Sequence, residues 1–293
     1  MGFNMTSNLN EIENILGELK NGKKILEYLL ELRNKYEERL NNLRTEFKLA
    51  EEDYQALDQL VLALKKAQFA KILDLRDSMD QIFKRISISN PIFSEFLDKI
   101  FKIANDECQK ISMDYPILIQ EACQQEGIKI DQTSVHPKYT FCDQFITLEI
   151  DEKKFKAKAY TREGKLFVLP FDISIVIPAI KEEIKRIFGR TFNPNQFLKK
   201  LYSNYCKIIE KEKKQIGDPI PIRKITSRLG KTQKNFRTDE FVVDLSKLIK
   251  EGIPSDLGYK IELGHTKDDR SGILLHGFES HGYVGFISIK KEN

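Results

Sequence analysis

Residues 36–64 read YEERLNNLRTEFKLAEEDYQALDQLVLAL. Within them Tyr36, Leu40, Leu43, Phe47, Ala50, Tyr54, Leu57, Val61 and Leu64 recur at steps that alternate four and three without a miss. Apolar residues spaced every ~3.5 positions form the a/d seam of a coiled coil, a helix face that meets a partner along its length. No glycine or proline interrupts the chain between Gly22 and Pro91. The sequence therefore predicts one helix from about Lys23 to about Ser87, with a reach on the order of 95 Å at about 1.5 Å per residue. After Leu64 the seam changes phase and resumes as Ile72, Leu75, Met79, Ile82 and Ile86. Such a stutter locally unwinds a left-handed supercoil. Leu62, Ala63, Phe69 and Ala70 widen the apolar face at the same place, where a bend or a change of partner is expected. A seam of this kind is covered by the chain folding back, by a second copy, or by another protein. Leu40, Leu43, Phe47, Tyr54, Leu57, Val61 and Leu64 are the candidate partner-binding residues.

Outward from this stretch, residues 6–20 predict a short helix with Ile12, Ile15, Leu16 and Leu19 on one stripe, stopped by Asn21-Gly22. Residues 92–126 predict one or two helices with a kink or restart at Tyr115-Pro116. From Tyr139 the period drops to two. Ile146, Leu148 and Ile150 alternate with polar residues, then Phe155, Ala157 and Ala159, then Lys165–Phe171, which together predict an antiparallel meander with one polar face. Pro178 is expected to open a helix that Gly189 ends. The predicted organisation is α+β: a helical coiled-coil region over 1–130, a small meander over 131–192 and a final module over 193–293.

Cys108, Cys123, Cys142 and Cys206 form no CxxC pair, and their wide spacing fits reduced thiols in a cytoplasmic protein better than a disulfide framework or a zinc site. No apolar run approaches the ~18 residues needed to span a bilayer, and the first residues lack the pattern of a secretory signal. Absent tryptophan and abundant Ile, Lys and Asn suit an AT-rich bacterial genome. Charge is unevenly placed. Residues 181–237 carry 16 basic and five acidic side chains, a local charge of +11 in a chain whose total is +4. Such a field suits an anionic partner.

That basic stretch lies in the final module. There the sequence predicts helices over 195–215, Ile220–Leu229 and Thr238–Lys250, then strands at Tyr259–Leu263 and Gly282–Lys290, with Gly272–Gly277 able to supply a third. Three helices followed by a β-hairpin is the order of a winged helix. The stretch from Asn195 to Lys290 resembles that superfamily in element order and apolar spacing, without a sequence motif and without pointing to a narrower family. Lys199, Lys200, Lys207, Arg223, Lys224, Arg228, Lys231, Lys234 and Arg237 are the candidate nucleic-acid-binding residues, since Lys and Arg on phosphates release counterions and give sequence-independent affinity. In a winged helix that reads bases the third helix enters the major groove by its N-terminal end. Here that end is Thr238-Asp239-Glu240, with Asp244 one turn later, so backbone contact without base readout is expected.

Catalytic signals are weak. His265, His276 and His281 lie near Asp268, Asp269 and Glu279 but match no helix-borne metal motif. Asp143, Glu149, Asp151 and Lys153 carry the letters of a nuclease metal site, yet Glu163-Gly164-Lys165 shows how readily turns supply such letters. Cys123 and His136 are a conceivable nucleophile and base with nothing to orient them. No phosphate loop, dinucleotide fingerprint or nucleophile elbow is present. The sequence thus predicts a non-enzymatic subunit of a bacterial multiprotein assembly, with no cofactor and no membrane contact. It would bind another subunit or itself through the coiled coil and DNA or RNA through 199–237. DNA maintenance or antiphage defence would suit this architecture. The alternatives are a dimeric winged-helix DNA-binding regulator and a metal-dependent nuclease.

Overall fold

The computed structural model describes residues 22–252 and 258–291; the helix expected over 6–20 lies outside the described residues. The chain is α+β, with a long N-terminal helical region, a four-stranded antiparallel meander and a C-terminal sheet with its helices. It divides into two compact units. One holds the residues up to Lys66 together with Leu75–Lys99, and the other holds Ala67–Asp74 together with Ile100 onward. No described helix is long and apolar enough to cross a membrane.

In the first unit α1 spans Gly22–Lys65. The single rod expected to reach Ser87 is interrupted, and it is replaced by α2 (Phe69–Ser78), α3 (Asp80–Ser89) and α4 (Pro91–Gln125). The break falls at the stutter. Ala67 takes a left-handed backbone, φ 48°, at a cost of about 1–2 kcal/mol for a residue with a Cβ. Of the second seam, Ile72, Leu75 and Ile86 are buried, as is Phe83 beside it. α3 lies against α1, whose Ala56, Leu60 and Ala63 are buried. The contact is fixed in register by Arg85, which donates from Nε to Asp53 at 3.0 Å and from Nη2 to Glu52 at 3.4 Å. This is a different face of α1 from the heptad seam. The seam itself stays open: Tyr36 is 62% exposed, Phe47 72% and Tyr54 70%.

α4 runs through Pro116 without the restart that is one of the two outcomes expected there. Proline removes one helix hydrogen bond, but Tyr115, Ile119 and Cys123 are fully or almost fully buried on its inner face, and the Tyr115 hydroxyl donates to the Phe171 carbonyl at 2.9 Å. Those anchors hold the helix through the gap.

The second unit contains the meander: β1 (Lys138–Phe141), β2 (Ile146–Asp151), β3 (Lys156–Thr161) and β4 (Gly164–Pro170), hydrogen-bonded in that order. Ile146, Leu148, Ile150, Ala157 and Ala159 form its buried face, as period-two alternation requires. α5 spans Ile173–Phe188 and packs on β4. It begins five residues before Pro178, with Asp172 at the N-cap position but making no side-chain capping bond to it. The Asp172 carboxylate is buried and accepts from the backbone N–H groups of Ala70 at 3.0 Å and Lys71 at 2.8 Å, closing the start of α2 from a distant part of the chain. Burial raises its pKa despite these donors. Asp172→Ala strands both N–H groups and is expected to cost about 1–3 kcal/mol, read as a lower urea midpoint with unchanged slope.

The final module runs α6 (Pro194–Glu212), β5 (Ile220–Pro221), α7 (Ile222–Thr232), α8 (Thr238–Glu251), β6 (Tyr259–Thr266) and β7 (Tyr283–Lys291). Asn193 caps α6 by accepting from the Gln196 N–H at 3.0 Å. The sheet order is β5–β7–β6, all antiparallel. Its third strand is therefore β5; Ile273, in the stretch offered for that role, makes only an isolated bridge to Val284. Leu198, Leu201, Tyr205, Ile225, Leu229, Phe241, Leu245, Ile287 and Ile289 are part of one core cluster.

Candidate nucleic-acid interface

The amphipathic pattern of α6 and α7 decides where their cations go. Burying Leu198, Leu201, Tyr205 and Ile208 on α6 and Ile222, Ile225 and Leu229 on α7 leaves Lys199, Lys200, Lys207, Lys224 and Lys231 on the outer faces, all exposed, and Lys234 exposed in the loop after α7. A groove between the two helices is lined by Lys211, Glu212, Arg223, Lys224, Ser227, Arg228, Lys231 and Thr232. Its cations and the Ser227 hydroxyl are donors of the kind that contact phosphates, while Glu212 is acidic and the Thr232 hydroxyl already donates to the Arg228 carbonyl at 3.0 Å.

The candidates are not equivalent. Lys199, Lys200, Lys207, Lys231 and Lys234 carry no ion pair among the described residues. Arg228 is half-buried, with its Nε shielded and lacking a hydrogen-bond partner. Lys224 is bound to Glu212 at 2.5 Å, which also pairs with Lys214 at 3.2 Å; both lysines hold the Glu212 carboxyl below the usual range. Arg223 turns inward, paired with Glu163 of the β3–β4 turn and donating to the Gly272 carbonyl at 2.6 Å. Arg237 pairs with Asp239 at 3.2 Å. Of the nine candidates the unpaired ones are therefore the five lysines and Arg228, and Lys211 in the groove is exposed and unpaired as well among the described residues.

The acidic start of α8 does not face solvent as a bare charge. Arg186 of α5 reaches Asp239 at 2.8 Å, Glu240 at 2.5 Å and Glu183 at 2.7 Å. Arg190 reaches Asp244 at 2.9 Å and Glu240 at 3.3 Å. Burial pushes the Asp239 pKa up, but the Arg186 and Arg237 charges override it and hold this carboxyl below the usual carboxylate range. Asp244 is raised, because its burial outweighs Arg190. Arg186 and Arg190 belong to the basic stretch that the sequence flagged, but their role as clamps is visible only once α5 packs on α8. As a result no residue of α8 from Thr238 to Ile249 is exposed. The long β6–β7 connection seals it further, since Ser246 Oγ accepts from the His276 N–H at 2.9 Å.

The other sequence candidates are dispersed, except that His276 Nε2 lies 3.8 Å from the Asp143 carboxylate. His276 lies against Phe145 and Phe188, with Nε2 3.1 Å from the Cys142 carbonyl, and His265 and His281 are exposed elsewhere on β6 and the connection. Asp143 sits in the β1–β2 turn, 85% exposed at its side chain; Glu149 lies within β2, and Asp151 at its far end accepts from the Lys154 N–H at 3.0 Å. Among the described residues no three His, Cys, Asp or Glu side chains converge on a point. Burial pushes the Cys123 thiol to about 11, away from a thiolate nucleophile. His136 is bound instead by Tyr139 and Glu152, each at 2.8 Å.

The chain matches no protein-family model, no curated protein and no solved structure.

Proposed function

We propose that this protein is a non-catalytic subunit of a multiprotein assembly, joined through the α1 seam, whose final module is a winged helix that holds nucleic acid by its phosphates. The element order α6–β5–α7–α8–β6–β7 and the sheet order β5–β7–β6 support the winged-helix reading. The single observation that carries the function is the division of labour between helices: α6 and α7 present unpaired lysines, while α8, the helix that reads bases in that superfamily, has no exposed residue from Thr238 to Ile249 and exposes only Lys250 and Glu251 at its C-terminal end. Contact without base readout follows, which favours an assembly subunit over a sequence-specific regulator.

Binding of two unrelated duplexes of about 20 base pairs tests this, with five lysines predicting a slope of about −4.5 in log K against log salt. Affinity is then expected to match between the duplexes and to fall roughly 500-fold between about 50 and about 200 mM salt. No binding at the lower salt, or strong preference for one duplex, overturns the reading.

A further inference from the structure

The open seam of α1 has a polarity that selects its occupant. Extending the register puts Leu26, Arg33, Leu40, Phe47, Tyr54 and Val61 at a, and Leu29, Tyr36, Leu43, Ala50, Leu57 and Leu64 at d. The positions beside them are Arg39, Glu46 and Asp53 at g, and Arg44, Glu51 and Asp58 at e. The face taken by α3 carries Asp53, Ala56, Leu60 and Ala63, at g and c, so most a and d positions remain uncovered; Leu26 and Leu57 are half-buried and the rest of the seam from Leu29 to Leu64 is exposed.

A parallel in-register pair of these helices sets each g residue against the next e residue of its mate. It would place Arg39 on Arg44, Glu46 on Glu51 and Asp53 on Asp58, each twice, with Arg33 on Arg33 inside the seam. Every flanking contact between charges would set like on like, with only Asp53 relieved by its own Arg85. An antiparallel pair instead sets a against d. Leu40 then meets Leu57, Tyr54 meets Leu43, Val61 meets Tyr36 and Arg33 meets Leu64. At the centre the large Phe47 fills the space left by the small Ala50, twice, where the parallel arrangement would stack phenylalanine on phenylalanine and alanine on alanine. Beside that centre Arg44 faces Glu51, twice and with opposite charge. Glu46 faces Asp53, whose charge Arg85 already meets at 2.5 Å. Only the outer Glu37–Asp58 contacts stay unrelieved.

We infer that the α1 seam is occupied by a second copy of this chain, running antiparallel, with the Phe47–Ala50 layers at the two-fold axis. This rests on the assembly reading above and names the partner of the same surface.

The test uses the full chain with Cys142 and Cys206 changed to Ser. Light scattering is expected to give the mass of two chains. Leu43→Asp, Phe47→Asp and Leu57→Asp combined are expected to give the mass of one with helical circular dichroism kept. For direction, copies carrying Leu43→Cys are mixed with copies carrying Tyr54→Cys and oxidised. Disulfide dimers are expected in the mixture and from neither variant alone, because like positions lie on the order of 16 Å apart in the antiparallel pair, beyond disulfide reach. Cross-linking of either variant with itself overturns the antiparallel arrangement, and a one-chain mass for the parent overturns self-pairing. Either result leaves duplex binding intact if the assembly reading holds; loss of duplex binding in a chain that still pairs strikes that reading alone.

Discussion

Replacing Lys200, Lys207, Lys231 and Lys234 together with Glu is expected to abolish duplex binding at moderate salt while leaving the melting temperature within a few degrees of the parent. The four side chains are exposed and carry no ion pair among the described residues, and surface changes of this kind usually alter stability by less than about 0.5 kcal/mol each. The binding loss follows from counterion release. Removing four phosphate contacts takes the salt slope from about −4.5 toward about −1, and each new carboxylate adds repulsion. Lys224→Glu and Arg223→Glu are poorer probes. The first strips Glu212 of a partner and the second sets a like charge on Glu163, so their effects mix binding with folding. Anisotropy titrations beside thermal melts separate the two classes. Retained affinity in the quadruple variant sinks the assignment of the belt.

The largest effect on stability is expected from Arg186→Met. Asp239 is 4% exposed at its side chain and Arg186 is its shortest ion-pair partner, so the change leaves a buried carboxylate with the longer ion pair to Arg237 and the Glu240 N–H, which donates to it at 2.7 Å. Breaking a buried pair from one side costs about 3–5 kcal/mol, read as the shift in chemical unfolding. Adding Asp239→Asn to Arg186→Met is expected to recover much of the loss, because the stranded charge disappears. The pH dependence follows from the same pair. Because the folded-state pKa of Asp239 lies below its unfolded value, its stabilisation is complete above the unfolded value of about 3.9 and is lost as pH falls through the depressed one. Arg186→Met removes the main cause of that depression, so the variant is expected to lose less stability than the parent on acidification. An identical acid limb in the two proteins refutes the role given to Arg186.

What the sequence could reveal depended on how far each signal reached along the chain. The seam from Tyr36 to Leu64 and the alternation at Ile146–Ile150 are repeated local patterns, and both elements formed where they were read. The interruption after Leu64 was legible as a phase shift but not as a chain reversal, since Ala67 has no residue chemistry that marks a left-handed backbone. β5 is two residues ending in proline, too short for any period. α8 carries its sign in the pattern: Val243 lies opposite Phe241, Leu245 and Leu248 with Val242 to the side between them, and a helix apolar beyond one stripe is buried on more than one face. The belt lysines were legible one by one, whereas the inward turn of Arg223 depends on Glu163, sixty residues earlier.

The enclosure of α8 has a genetic corollary. With no exposed residue between 238 and 249 and with α5 and the β6–β7 connection packed on the helix, random mutagenesis of this segment should yield temperature-sensitive alleles and no change-of-target alleles. Suppressors would then fall on the clamp around Arg186 and Arg190 rather than on any ligand.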